Sequence, residues 1–290
     1  MEYLNLFILG IYFILFPLFL GGIIRKIRAR AQGRKGPPVL QNLYDFLRLW
    51  QKSPIDGPNS AFFAENAPVT IFTSSLIIWS IATFEWSSVL IVPFFLALQR
   101  MCILGFAMET GTSFGGLGTS RELLLAICSE PILIMSLLVA QSKLEVGFSW
   151  MGIIMGCLFL GAFLVAILAE IAKPPFDDPR THLELTMVHE AMLLEASGRT
   201  LAYFEAAAQL KIATFLILLM RVGIEHTNFI FRKIGNGILE NAIVFIGAVL
   251  LALFLGYWEA RSVRRKWIWV PEIMGMTFLF LLVLGTLIKI

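Results

Sequence analysis

Redox-active and metal-binding side chains are scarce in this sequence, which has three cysteines, Cys102, Cys128 and Cys157, and three histidines in 290 residues. The cysteines stand apart in apolar surroundings, with no Cys-x-x-Cys pair, so the chain has no iron–sulfur or zinc framework of its own. Charge is scarce too. Charged residues make up 15% of the chain and hydrophobic ones 58%, with a mean hydropathy of +0.81, which excludes a soluble globular domain of this length. There is no Walker loop, dinucleotide fingerprint or nucleophile elbow. The charge order of a cleaved secretory signal is also missing, because Glu2 precedes the first apolar run and a basic cluster follows it. That run is expected to stay as a helix.

What is abundant is apolar sequence in lengths of about 20 residues, enough to cross a hydrocarbon core of about 30 Å. Such runs lie near 4–24, 67–84, 87–108, 122–141, 150–170, 200–221, 238–258 and 268–289. They predict an all-α, polytopic protein of about eight transmembrane helices, forming a single membrane domain over 1–290. With the N-terminus outside, the inside loops are 25–66, 109–121, 171–199 and 259–267. Sixteen Lys and Arg fall in those loops, against Lys143, Arg232, Lys233 and Lys289 outside. This bias predicts both termini outside and the loops 25–66 and 171–199 in the cytoplasm.

In the first of these loops Val39, Leu40, Leu43, Leu47 and Trp50 recur at helical spacing, with Gln41, Asn42, Asp45 and Arg48 between them. The pattern predicts a short helix lying in the membrane interface. The arginines before it either serve docking or only hold topology and touch anionic lipid head groups. The stretch from Ser53 to Pro68 reads as a linker.

Ionisable residues recur inside the spans or at their ends: Arg100, Glu109, Glu130, Glu170, Glu205, Lys211, Arg221 and Glu259. Each is costly in hydrocarbon and marks either a connected polar path or an isolated structural pair. Glu130 precedes Pro131, which frees backbone carbonyls and can admit water.

The longest acidic stretch follows the fifth span, from Glu170 to Thr200, and carries Asp177, Asp178, Glu184, Glu190 and Glu195. Lys173-Pro174-Pro175 ends that span. Thr181 and Glu184 fit a capping box and Ser197-Gly198 a stop, which predicts a helix over about 182–196. On such a helix Glu184 and Glu195 lie within about 20° of each other, with His182 and His189 near the opposite side. The two carboxylates would then share protons along one face; the alternative for Glu184 is the capping carboxylate alone. His189-Glu190 lacks the second histidine of a His-Glu-x-x-His zinc site, because Leu193 stands there. Asp177-Asp178 is a single acidic pair, and Asp178-Pro179 makes a good helix start. No metal site is expected.

At this loop the sequence resembles the membrane subunit shared by respiratory complex I, its H subunit, and the group 4 membrane-bound nickel–iron hydrogenases, including formate hydrogenlyase. Four motifs carry the resemblance. The first is Arg28, Arg30, Arg34 and Gly36-Pro37 with Gln41 and Asp45. The second is Ser120-Arg121 with Glu130-Pro131. The third is Glu170, Pro175-Phe176-Asp177-x-Pro179, Glu184-Leu185 and Glu195-x-Ser197-Gly198. The last is Glu259, Arg264 and Lys266. Arg180, His182 and Ala196 depart from the complex I pattern, and the segment between Leu185 and Glu195 is longer. Those departures favour the hydrogenase branch over a quinone chamber.

The resemblance implies a coupling and anchor subunit of an ion-translocating redox complex. Arg28, Arg30, Arg34, Arg121 and Arg199 would dock the peripheral arm, and Glu109, Glu130, Glu170, Asp177, Glu184, Glu195 and Glu259 would pass protons. This chain would bind no cofactor itself. Its partners would be hydrogenase-like large and small subunits and an iron–sulfur subunit, which carry the Fe–S clusters and the Ni–Fe centre, with antiporter-like membrane subunits beside it. Membrane lipid is expected as a partner and nucleic acid is not. The rivals are the H subunit of a quinone-reducing complex I, a stand-alone cation-coupled transporter, and a passive anchor.

Overall fold

Hydrocarbon offers no partner for a backbone N–H, so a chain with this composition satisfies its peptide groups within helices. The computed structural model describes residues 2–55, 62–142, 150–177, 188–226, 237–263 and 267–288, and these contain helices and turns but no strand. The helices are α1 (Glu2–Ala31), α2 (Gln41–Trp50), α3 (Phe62–Phe84), α4 (Val92–Glu109), α5 (Ser113–Gln141) and α6 (Trp150–Glu170). They continue as α7 (His189–Met192), α8 (Gly198–His226), α9 (Gly237–Arg261) and α10 (Trp269–Ile288).

Among the described residues six segments are long and apolar enough to cross a membrane: Phe62–Phe84, Val89–Glu109, Ser113–Gln141, Gly198–Gly223, Ala242–Arg261 and Trp269–Leu287. The other two expected spans fall on α1, a 30-residue helix, and on α6, whose described apolar part is Ile154–Glu170. Glu85, at φ 52, turns the chain out of α3, and the Ser88 side chain accepts the Leu90 N–H to start the next segment. Helix α1 runs on to Ala31, and α3 begins at Phe62, inside the stretch expected to be a linker. Helix α5 begins at Ser113 rather than near 122, because the Thr112 side chain caps it by accepting the Gly115 N–H at 3.2 Å. Glycines 115, 116 and 118 then continue as helix, with α7 packed closely against Gly118.

Helix α8 is the centre of the bundle, packed on α1, α2, α3, α6 and α9. Within its apolar window 72% is buried, against 28% for α10 at the edge. The short helix α2 lies across α1 and α8 with its polar side inward. Asn42 is buried and donates to Gln209 Oε1 at 3.1 Å and to the Leu18 carbonyl at 3.3 Å. Leu40, Tyr44, Leu47 and Trp50 are exposed on the other side. The arrangement inverts a soluble amphipathic helix because Arg25 and Gln209 supply polar partners beneath it.

Glycine decides how close α1 lets its neighbours come. A Cβ on Gly22 would sit 1.7 Å from the Val39 carbonyl oxygen, a backbone atom that cannot swing away. Gly22→Val is therefore expected to push α2 off α1 and to cost about 1–3 kcal/mol. The check is thermal unfolding of the detergent-solubilised protein, in which an unchanged midpoint would refute the contact.

Candidate functional site

Arg100 projects from the middle of α4 and is 8% exposed. A guanidinium in such a place needs carboxylates around its fork, and two helices supply them. Its Nε donates to Glu122 Oε1 at 3.3 Å, its Nη1 to Glu130, and its Nη2 to Glu170 Oε2 at 2.7 Å. Glu122 and Glu130 come from α5, Glu170 from the last position of α6. Lys211 of α8 then reaches Glu170 Oε1 at 3.6 Å. Four membrane helices are thus tied together by three acids and two bases. With every group ionised the cluster carries one negative charge in excess.

Glu170 ends its helix, yet its side chain is 2% exposed because the loop folds back over it. Helix α6 stops in a Schellman motif, with Ala172 in the left-handed region at φ 49 and the Lys173 N–H donating to the Leu168 carbonyl at 2.9 Å. Asp177, buried, then accepts the N–H groups of Val188 and His189 at 3.3 and 3.2 Å. That draws α7 down onto α5, where Gly118 leaves room: a Cβ there would lie 2.9 Å from the Val188 carbonyl oxygen.

A second charged centre lies above the first. Glu259 of α9, 3% exposed, receives Arg28 at 3.0 Å and Lys173 at 2.9 Å. Arg25 bridges Asp45 of α2 and Glu205 of α8 at 3.3 and 3.5 Å. Between the two centres is a vestibule of about 880 Å³, lined by Arg28, Lys173, Asp177, His189, Glu205 and Glu259 among others, and reaching Glu170 and Lys211 at its floor. Its rim includes the exposed Gln32, Arg34 and Glu190, so it opens to the surface at the loop end.

The residues expected from sequence divide as follows. Glu130 and Glu170 meet at Arg100, while Asp177 and Glu259 line the vestibule. Glu109 lies elsewhere and accepts the Ala64 N–H at 2.7 Å in the first turn of α3. Glu184 lies outside the described residues, as do Asp178, His182, Arg264 and Lys266. The helix expected over 182–196 is corrected in its described part: it ends at Met192, and Leu193–Glu195 is a turn with Glu195 exposed. The cause is local, since Asp177 fixes its N-terminus and Gly198, at φ 50, starts α8. Of the arginines, Arg28 is held by Glu259, Arg30 and Arg34 are exposed, and Arg121 is part-buried on α5. Arg199 donates to the Trp50 carbonyl at 3.3 Å and helps tie the two loops together. Arg221 pairs with Glu85 at the far end.

Sequence reading missed Glu122, which falls at the start of the predicted span, where a carboxylate usually snorkels to water. The signal was its spacing: eight residues before Glu130, about 80° apart around a helix. Among the described residues no group of three or more His, Cys, Asp or Glu is gathered to hold a metal ion.

His189 lies in the loop outside the membrane-spanning helices. Enclosure of its ring holds its pKa down to about 4, with Lys211, Lys173 and Arg100 acting in the same direction and Glu170 opposing. The Glu190 carboxyl is pushed up, first by desolvation in the vestibule wall and then by Glu205 and Asp177.

A family profile described as NADH dehydrogenase matches residues 4–290. Hydrogenase-4 component C of Escherichia coli (strain K12) is 33% identical over 69% of this chain and 69% of its own length. Formate hydrogenlyase subunit 4 of the same organism is 27% identical over 93% of this chain and 94% of its own. The H subunit of the NADH-quinone oxidoreductase of Pelagibacter ubique (strain HTCC1062) is 27% identical over 70% of each. A chain in the structure of the membrane-bound sulfane sulfur reductase, an archaeal respiratory membrane complex, shares the fold with a TM-score of 0.68 and 17% identity, over 96% of this chain and 99% of that one.

Two outcomes are expected of the site. Arg100→Met leaves three carboxylates facing Lys211 alone, and removing one partner of a buried ion pair costs about 3–5 kcal/mol. Thermal unfolding in detergent reads this, and a shift no larger than that of a surface substitution would refute the central role of Arg100. For His189, whose pKa falls from 6.5 unfolded to about 4 folded, the unfolded state binds more protons between those values. Stability therefore rises with pH across that window and is flat above it. His189→Gln should flatten the slope; equal slopes in the two proteins would contradict the enclosure of the ring.

Proposed function

The chain belongs to the NADH dehydrogenase family, and from that premise we propose that it is the membrane coupling and anchor subunit of an ion-translocating redox complex of the membrane-bound nickel–iron hydrogenase type. The observation that carries the reading is the cluster of Glu122, Glu130 and Glu170 around Arg100 and Lys211, one acid in excess, at the floor of an open polar vestibule. Redox chemistry in a docked partner changes the field at the vestibule. In a low-dielectric cluster a modest change of field moves a proton on or off a carboxylate. Glu170 is the anchor, because both of its oxygens are held by cations. Glu122 and Glu130 are the groups that exchange the proton.

The loop end is the docking face. Arg30, Arg34 and Arg199 are exposed there beside α2, which lays Leu40, Tyr44, Leu47 and Trp50 into lipid at the interface. Hydrogenase-like large and small subunits and an iron–sulfur subunit bind this face, bringing the Fe–S clusters and the Ni–Fe centre, and antiporter-like subunits bind within the membrane. The protein sits in the cell membrane with both termini outside and the vestibule toward the cytoplasm, an orientation supported by the distribution of Lys and Arg. The likeness to a quinone oxidoreductase subunit keeps one alternative in view, a place in a quinone-reducing complex I.

Affinity purification in mild detergent, with mass spectrometry and metal analysis, separates these readings. Nickel and iron with hydrophobic antiporter-like partners are expected; iron and flavin without nickel would move the chain to complex I, and a lone metal-free protein would refute both. The relay has its own test in inverted membrane vesicles. Glu122→Gln leaves two acids against two bases, a neutral cluster that should assemble normally. It is expected to retain electron transfer and lose charge translocation at least tenfold, as is Glu130→Gln, and wild-type translocation in both would refute the relay.

A further inference from the structure

Below the vestibule, on the far side of its floor, is a second and smaller cavity of about 40 Å³. It is lined by Gln99, Arg100 and Glu122 together with five residues that also line the vestibule: Glu170, His189, Phe204, Ala208 and Lys211. Those five are the partition between water-accessible space and the buried carboxylates. Phe204 and Ala208 carry no exchangeable proton. Glu170 and Lys211 are bound to each other and Glu170 to Arg100. That leaves the imidazole of His189, which makes no hydrogen bond of its own among the described residues while its backbone N–H is fixed by Asp177.

The small cavity has Gln99, Arg100 and Glu122 in an otherwise largely apolar wall and is large enough for water, since about 10–15 Å³ suffices for one molecule. A second observation points to one: Gln99 is 5% exposed, lines this cavity, and its Nε2 is a buried donor with no partner. A water there would satisfy Gln99 and stand between the imidazole and the Glu122 carboxylate.

We propose that His189 is the proton relay across the partition, taking a proton from vestibule water on one ring nitrogen and releasing one from the other nitrogen to a water held by Gln99 and then to Glu122. The step balances: one N–H bond forms as the other breaks, one proton crosses, and the ring resets by rotation or by exchange of its tautomer. No oxidant or reductant takes part. The charged groups facing the ring are Arg100, Glu122, Glu170, Lys173, Asp177 and Lys211. Their cations and the enclosure of the ring keep the proton from resting on it, so it passes through. The relay rests on the coupling role proposed above and names the way into its cluster.

The test uses His189→Ala in the assembled complex in inverted vesicles, with translocation read as membrane potential by an oxonol dye, which a permeant weak base does not collapse. Reduced viologen or NADH serves as donor, whichever sustains electron transfer in the wild type. The variant should keep its subunits and electron transfer and lose potential formation at least tenfold. Millimolar imidazole, small enough for the vestibule, should restore it, with substituted imidazoles ranking by their pKa; the same additions should leave Glu122→Gln unrestored. Wild-type potential in His189→Ala, or a loss that imidazole does not repair in an assembled complex, overturns the relay. If the alanine variant does not assemble, His189→Gln decides by the same readings of potential and rescue. A wild type that forms no potential overturns the coupling role itself, whereas a pumping wild type with an unaffected His189→Ala overturns only the relay.

Discussion

Everything in this structure depends on one constraint: a guanidinium buried among apolar helices must have its charge met by ionised side chains, because the apolar ones around it cannot meet it. Arg100 can be accommodated only where α5 and α6 bring Glu122, Glu130 and Glu170 to its fork, and where Lys211 of α8 balances part of the surplus acid. These contacts set the rotation of four helices at once. Apolar packing among α3, α4, α5, α6 and α8 is shaped around them rather than the reverse, since a leucine tolerates a rotation that an ion pair does not.

The loop after α6 serves the same end by covering the cluster. Asp177, which sequence alone suggested as a proton carrier, spends its carboxylate on the N–H groups of Val188 and His189. With Gly118 leaving space on α5, this seats α7 over the membrane end of the bundle. The result is a vestibule with ionic walls, closed at its floor by Glu170 and Lys211, rather than an open cleft into hydrocarbon. A closed floor with a titratable ring in it is what coupling requires, because a continuous water column would let protons move without regard to redox state.

Much of this was legible from the residues. The apolar runs located the long helices, Val39–Trp50 was read as a short helix, and Glu130 and Glu170 were picked out as candidate proton-transfer carboxylates. The start of α5 was not legible, because the apolar run begins only near 122 while the Thr112 cap starts the helix at Ser113. Which partners the polar side of α2 takes was not legible: Asn42 and Asp45 meet Gln209 and Arg25. Glu122 was passed over because distance along the chain put it at a span's end, and Glu195 was paired with Glu184 on a helix that stops at Met192.

The sequence by itself determined that this protein lives in a membrane and which loops are basic, because hydropathy and charge order are local properties summed along the chain. Only the tertiary structure decided that Arg100 answers to three carboxylates, that Glu109 caps a neighbouring helix instead, and that His189 stands between two cavities. The reason is physical: position along a helix fixes depth, but rotation about its axis and choice of neighbours follow from packing between segments as much as 231 residues apart, as for Arg28 and Glu259.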